Sequence, residues 1–234
     1  MKTLTSLFFI FTSSIFCMLA QEPNTLSAAE KADGWELIFD GESFDGLEKL
    51  AEGGWEIKDG ALSATAIPHG KQMDIITKER FDNFELTFEF TISEKTNSGV
   101  KYLVTNDFSN QPGVYLGLEY QILDDINYTY PERGQLRSIA SLYDLIAADA
   151  KKDVKAFGQW NKALIIVNGN QISHWLNGDR VVHYDRSTAR FATLIESSKY
   201  KDLDGFGQAK KGHLLFQNEG TPISFRNIKL KRLR

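Results

Sequence analysis

Strict alternation constrains this chain more than any other feature. In "FELTFEFTI", residues 84–92, Phe84, Leu86, Phe88, Phe90 and Ile92 take one face, and Glu85, Thr87, Glu89 and Thr91 take the other. A period of two belongs to an extended strand with one buried face; a helix would scatter the same apolar groups around its circumference. Turn signals punctuate further runs. "GWEIKDGALSAT" reads as a hairpin turning at Asp59-Gly60, "WLNGDRVVHY" as one turning at Asn177-Gly178, and "WNKALIIVNGNQISHWL" as one turning at Asn168-Gly169. The final strand, "ISFRNIKLKRL", changes parity: Ile223 and Phe225 are odd, Ile228 and Leu230 even. One inserted residue near Arg226-Asn227 accounts for that, so a β-bulge is expected there. The best helical segment is short, around "ATLIESSKY". Many strands with closely spaced turns imply a sandwich or barrel, and 234 residues with 42% hydrophobic content suffice for one core. The expected fold is all-β, a jelly-roll β-sandwich of two antiparallel sheets spanning residues 34–234.

The first residues stand apart. "MKTLTSLFFIFTSSIFCMLA" places Lys2 before an apolar run that ends at Ala20, the pattern of a secretory signal peptide and too short for a convincing membrane span. Residues 1–20 are therefore read as a signal peptide cleaved before Gln21, which places the mature protein in the periplasm or on the outer surface. The single cysteine, Cys17, leaves with that peptide, and Phe16 before it is a poor lipoprotein signal. Residues 21–33, "QEPNTLSAAEKAD", show no apolar face and read as a tether, with at most one helical turn. A net charge of −4 and the lack of a basic stripe argue against nucleic-acid binding. No clustered His, Cys or acid spacing points to a metal, no cofactor motif is present, and the sequence does not set the oligomeric state.

One strand carries unexpected polarity. In "GLEYQILDD", Glu119 and Gln121 share a face while Tyr120 and Ile122 take the other, which is expected to pack between the sheets. A bulge after Gln121 would bring Asp124 round to join Glu119 and Gln121. The bland reading is a polar strand at the sandwich edge. His174 has the parity of Ile172 and Leu176, which on periodicity alone makes it an inter-sheet histidine. His69 sits in a Pro-Gly loop, where functional groups concentrate.

Several segments, in order along the chain, resemble the 3-keto-disaccharide hydrolase domain family: "GWELIFDGESFDGL", "NSGVKYLV", "GLEYQILDD", "HWLNG", "SSKYKDLDGFG" and "GHLLFQNEGTPISFRNIKLKRL". The last departs from the pattern. "FQNEG" stands where the family reads more like "LQDHG", so Asn218 and Glu219 replace an acid and a histidine. The resemblance implies a concanavalin-like jelly roll and a carbohydrate substrate carrying a ketone at C3. Such a ketone acidifies the C2 hydrogen. A base removes that proton, the enolate expels the group at C1, and water then adds to the enone. The chemistry requires a base, an electrophile for the C3 oxygen and an acid for the leaving oxygen. Glu119 is the candidate base and Lys101 the candidate electrophile, though a solvated lysine is the plain alternative. The motif match adds His174 to the catalytic candidates. For the sugar, Tyr143 and Trp175 are candidate ring platforms, with Tyr115 and Trp160 as further aromatics. Asn97, Gln121, Asp124 and Gln217 are candidate hydrogen-bonding partners. The alternative is a non-catalytic, lectin-like binding domain on the same fold.

Overall fold

The computed structural model describes residues 21–68, 71, 73–106, 114–128 and 133–234. Residues 1–20 and His69 lie outside the described residues, so the structure does not address the signal peptide or the loop histidine.

Alternating burial in the sequence becomes two stacked antiparallel sheets. The strands are β1 (Trp35–Leu37), β2 (Leu47–Lys49), β3 (Trp55–Lys58), β4 (Ala61–Ala64), β5 (Ile75–Thr77), β6 (Phe84–Thr91), β7 (Asn97–Thr105), β8 (Leu116–Leu123), β9 (Trp160–Asn168), β10 (Gln171–Leu176), β11 (Asp179–Asp185), β12 (His213–Phe216) and β13 (Ser224–Arg232). An eight-stranded sheet runs β11-β10-β9-β6-β13-β4-β3, with β1 also paired to β13. A five-stranded sheet runs β2-β5-β12-β7-β8. The fold is the jelly-roll β-sandwich that the periodicity implies.

Strand β6 shows why the sheets stack. Phe84, Leu86, Phe88 and Phe90 are fully buried, and the intervening residues are half-buried on the outer face. Phe88 meets Tyr120 and Phe216 of the opposite sheet edge-on, at centroid distances of 5.7 and 6.5 Å. Burying one such ring contributes about 1.5–3 kcal/mol, and edge-to-face geometry adds to it.

The turn chemistry follows the glycines. Asp59 and Gly60 both have positive φ, as do Asn177 and Gly178, which suits tight hairpins. In the β9–β10 hairpin Asn168 pairs with Gln171, so the turn is Gly169-Asn170, one residue later than expected. The β13 register shifts between Arg226 and Lys229, with Asn227 left-handed at φ 51. That bulge keeps Phe225, Ile228 and Leu230 all in the core. The helix is α2 (Ala189–Glu196), capped by the Thr188 hydroxyl.

Residues 21–33 are more than a tether. Ser27 and Glu30 form a reciprocal capping box on the short helix α1 (Ala28–Ala32). Asn24 is buried and exchanges two hydrogen bonds with Asn227, at 2.6 and 2.8 Å. Glu30 also pairs with Lys229 at 2.7 Å. The segment is polar because it docks on the β13 bulge through hydrogen bonds, which an apolar-periodicity search does not detect.

Candidate active site

A cavity of about 270 Å³ opens on the outer face of the five-stranded sheet. Three adjacent strands supply its floor: Asn97 and Lys101 from β7, Glu119 and Gln121 from β8, and Gln217 and Glu219 just beyond β12. Period-two geometry accounts for this. Tyr120 and Ile122 are fully buried in the core, which turns Glu119 and Gln121 to the opposite face.

The wall comes from loops. Strand β8 is an edge strand, and an uncovered edge leaves unpaired backbone groups. Residues 140–143 cover it: Ala140 N–H donates to Gln121 O at 2.8 Å, and Tyr143 N–H donates to Glu119 O at 3.1 Å. That pairing sets Tyr143 beside Glu119. A second wall follows α2, where Lys199, Tyr200 and Phe206 line the cavity. The Tyr200 and Phe206 rings stack with centroids 3.8 Å apart. The two walls are tied by Asp144, only 1% exposed. Its Oδ1 accepts from Arg137 Nε at 2.9 Å, and its Oδ2 accepts from the Lys199 N–H at 3.3 Å.

Glu119 is the centre of the cluster. It lies directly opposite Lys101 in the β7–β8 register. The Gln121 amide faces it with its nitrogen, donating to Glu119 Oε1 at 2.9 Å and to Ser98 O at 3.2 Å; the reverse orientation would aim oxygen at two acceptors. A charge-assisted hydrogen bond of this kind contributes about 1.5–3 kcal/mol. Burial pushes the Glu119 carboxyl above its ordinary range. The positive charges of Lys101 and Lys199 oppose that rise, and Glu219 and Asp74 reinforce it. Asp74, which accepts from the Asn218 N–H at 3.0 Å, is raised mainly by its own burial. Burial lowers Lys199, against the pull of Glu119 and Asp144. The site therefore holds a carboxyl with increased proton affinity beside an ammonium with decreased proton affinity.

Of the sequence candidates, the fold gathers Glu119, Lys101, Asn97, Gln121, Tyr143 and Gln217 around one cavity, with Tyr115 also at its lining. Four others are elsewhere. His174 is fully buried between the sheets, with Nδ1 bonded to Ala140 O at 3.0 Å and Nε2 to the Tyr102 hydroxyl at 2.7 Å. Its strand parity described it correctly, and the catalytic expectation is withdrawn. Trp175 follows it on β10 in the other sheet, its indole N–H donating to Ser173 Oγ, so it is no platform for this cavity. Trp160, also in that sheet, lies beneath the Arg226 guanidinium. Asp124 does not join Glu119, because the β7–β8 pairing runs without a shift from Leu118 to Leu123. Its carboxylate instead accepts from the N–H groups of Lys95, Ile126 and Asn127 and from the Asn127 amide. Those bonds lower its pKa against the cost of burial; it caps a turn.

Sequence reasoning missed Lys199, Tyr200, Phe206 and Glu219. Three of them sit in "SSKYKDLDGFG", a stretch without periodicity whose polar and aromatic density was the available signal. Asn218 points away, its amide donating to Gly54 O and Thr65 O, which leaves Glu219 to face the cavity. Among the described residues no three His, Cys, Asp or Glu side chains converge as a bound metal would need.

The chain from residue 34 to 231 matches the family model of the 3-keto-alpha-glucoside-1,2-lyase-like domain. The chain belongs to this family, and with it to the carbohydrate-active enzymes. A 3-keto-disaccharide hydrolase of Bacteroides thetaiotaomicron is 31% identical over an alignment 243 residues long, covering 92% of this chain and 83% of the relative. Two solved structures from Parabacteroides distasonis, both named as candidate glycosyl hydrolases, are each 27% identical. One has a TM-score of 0.81 and covers 91% of this chain and 100% of its own. The other has a TM-score of 0.65 and covers 85% and 99%.

Proposed function

We propose that this protein cleaves the glycosidic bond of 3-keto-glycosides, 3-keto-disaccharides among them, by elimination and hydration. One observation carries the reading. Glu119 and Lys101 are cross-strand neighbours opening into one cavity, with the carboxyl held at raised proton affinity by burial. A base that must take a carbon-bound proton benefits from that increase. Glu119 removes the C2 proton, and the pair left at C2 forms the enolate with the C3 carbonyl. Lys101 stabilises the developing negative oxygen. Collapse of the enolate breaks the C1–O bond and leaves an enone, to which water adds. The names of the family and its relative support this: one is a 1,2-lyase, the other a hydrolase, which are the two halves of one such sequence. A lectin has no use for a buried carboxyl facing an ammonium, which disfavours the binding-domain alternative.

The test is Glu119→Gln, which keeps the shape and removes the base. Turnover of a 3-keto-disaccharide should fall on the order of 10²–10⁴-fold, with substrate binding largely retained. The wild type should exchange the C2 hydrogen in deuterated water and the variant should not. Unchanged turnover removes Glu119 from the mechanism. Equal cleavage of the unoxidised disaccharide without exchange indicates an ordinary two-carboxylate glycosidase, with Glu219 as the second acid.

We also propose that the mature enzyme acts outside the cytoplasm. The apolar run of residues 1–20 supports it, and mass spectrometry of exported protein should find Gln21 at the amino terminus. An acylated Cys17 would instead indicate a membrane-anchored form.

A further inference from the structure

Elimination needs a second proton-transfer group, because the departing C1 oxygen must receive a proton that Glu119 has not yet released. In an α-glucoside the C2 hydrogen and the C1 oxygen are axial on opposite ring faces. A base on the floor therefore calls for an acid on the wall. We propose that Lys199 is the general acid for the leaving oxygen, an assignment that rests on the elimination reading above.

The geometry favours this lysine over its neighbours. Lys101 stands beside Glu119 on the same floor. Glu219 is also at floor level and its Oε1 accepts from Gln217 Nε2 at 2.7 Å, which is the role of an acceptor. Burial raises the Tyr200 hydroxyl pKa, making it a poor proton source. Lys199 reaches the cavity from a different element. Its Nζ lies 4.3 Å from the Tyr143 ring centroid and 5.1 Å from that of Tyr200, within cation–π range. Among the described residues no carboxylate lies within 4.0 Å of that ammonium. Ring faces hold its charge without taking its protons, so they remain available to substrate. The backbone is fixed by Asp144 at the Lys199 N–H and by the Ser198 hydroxyl at the Tyr200 N–H. The burial that lowers the lysine's proton affinity also makes it a better donor.

The protons balance over the full cycle. Elimination moves the C2 proton to Glu119 and one Nζ proton to the leaving oxygen. The site is left with a protonated carboxyl and a neutral amine. Hydration uses that pair in reverse: the amine takes a proton from water as its hydroxide adds to C1, and Glu119 returns a proton to C2. The enzyme ends as it began, with one water consumed.

Lys199→Ala and Lys199→Arg test the assignment on two substrates, a 3-keto-disaccharide and a nitrophenyl 3-keto-glucoside, whose phenolate departs without a proton. Both variants should lose on the order of 10²–10⁴-fold in turnover of the disaccharide but less than about tenfold on the nitrophenyl substrate. Both should keep C2 exchange in deuterated water, so that exchange rises relative to turnover. Arginine keeps the charge and the ring contacts but cannot transfer its proton; full activity in Lys199→Arg would overturn the proposal in favour of simple charge stabilisation. Equal losses on both substrates, or loss of exchange together with turnover, would also overturn it. A wild type that cleaves without exchange defeats the elimination reading itself, and this assignment with it.

Discussion

A single methyl group at Gly99 would disturb the site. Gly99 pairs with Gln121 across the strands, and the Glu119 side chain leans over it. A Cβ there would lie 2.5 Å from Glu119 Oε1 and 2.9 Å from its Cγ. The backbone itself would accept alanine, since Gly99 is not among the residues with positive φ. Gly99→Ala should therefore push the carboxylate off Gln121 and lower turnover on the order of 10²-fold, the cost of misplacing a catalytic group by about 1 Å. The folded state should lose little, because glycine-to-alanine replacement in compatible backbone is itself worth about 0.4–1 kcal/mol. Turnover measured beside the thermal midpoint decides it; a large fall in midpoint with normal turnover would contradict this account. The sequence announces Glu119 and Gln121 by their incongruity in an apolar strand, but nothing in it marks Gly99 as the residue making room.

At the level of elements, what was legible followed local rules. The β13 bulge was readable because a parity switch has one cheap explanation, and the structure shifts register where the apolar positions change from odd to even. The Asp59-Gly60 and Asn177-Gly178 hairpins were readable because few dipeptides tolerate two positive φ values. The same rule failed after Gln121. A bulge there would have joined Asp124 to the site, but a turn that consumes all its acceptor capacity holds Asp124 instead. The cover on β8 and the docking of residues 21–33 were not legible either. Both are made by hydrogen bonds between segments far apart in sequence, and such bonds leave no periodic trace.

The whole molecule depends on what joins its two sheets, and one joint is polar. His174 on β10 meets Tyr102 on β7, and Tyr102 meets Tyr184 on β11 at 2.8 Å. Because Nδ1–H donates to Ala140 O, Nε2 is the acceptor and the Tyr102 hydroxyl donates to it. Burial holds this histidine down to about 4, against 6.5 when free. The unfolded chain therefore binds a proton below pH 6.5 that the folded chain refuses. Stability contributed by the neutral ring is complete above pH 6.5, is lost as pH falls toward 4, and levels off below. The loss amounts to about 3 kcal/mol. His174→Gln should remove that part of the slope, leaving a pH-independent cost from the disturbed joint. Urea unfolding of both proteins between pH 4 and 7 measures it, and parallel curves would show that His174 does not titrate as described. The sequence by itself determined the sandwich, the two faces of β6 and the outward aim of Glu119, because side-chain alternation is a local property of extended backbone. Only the tertiary structure decided that Lys199, Tyr143 and Glu219 meet that carboxylate, that His174 does not, and how strongly each proton is held. Burial and charge proximity arise where loops far apart in sequence close over one sheet, and no local pattern records that closure.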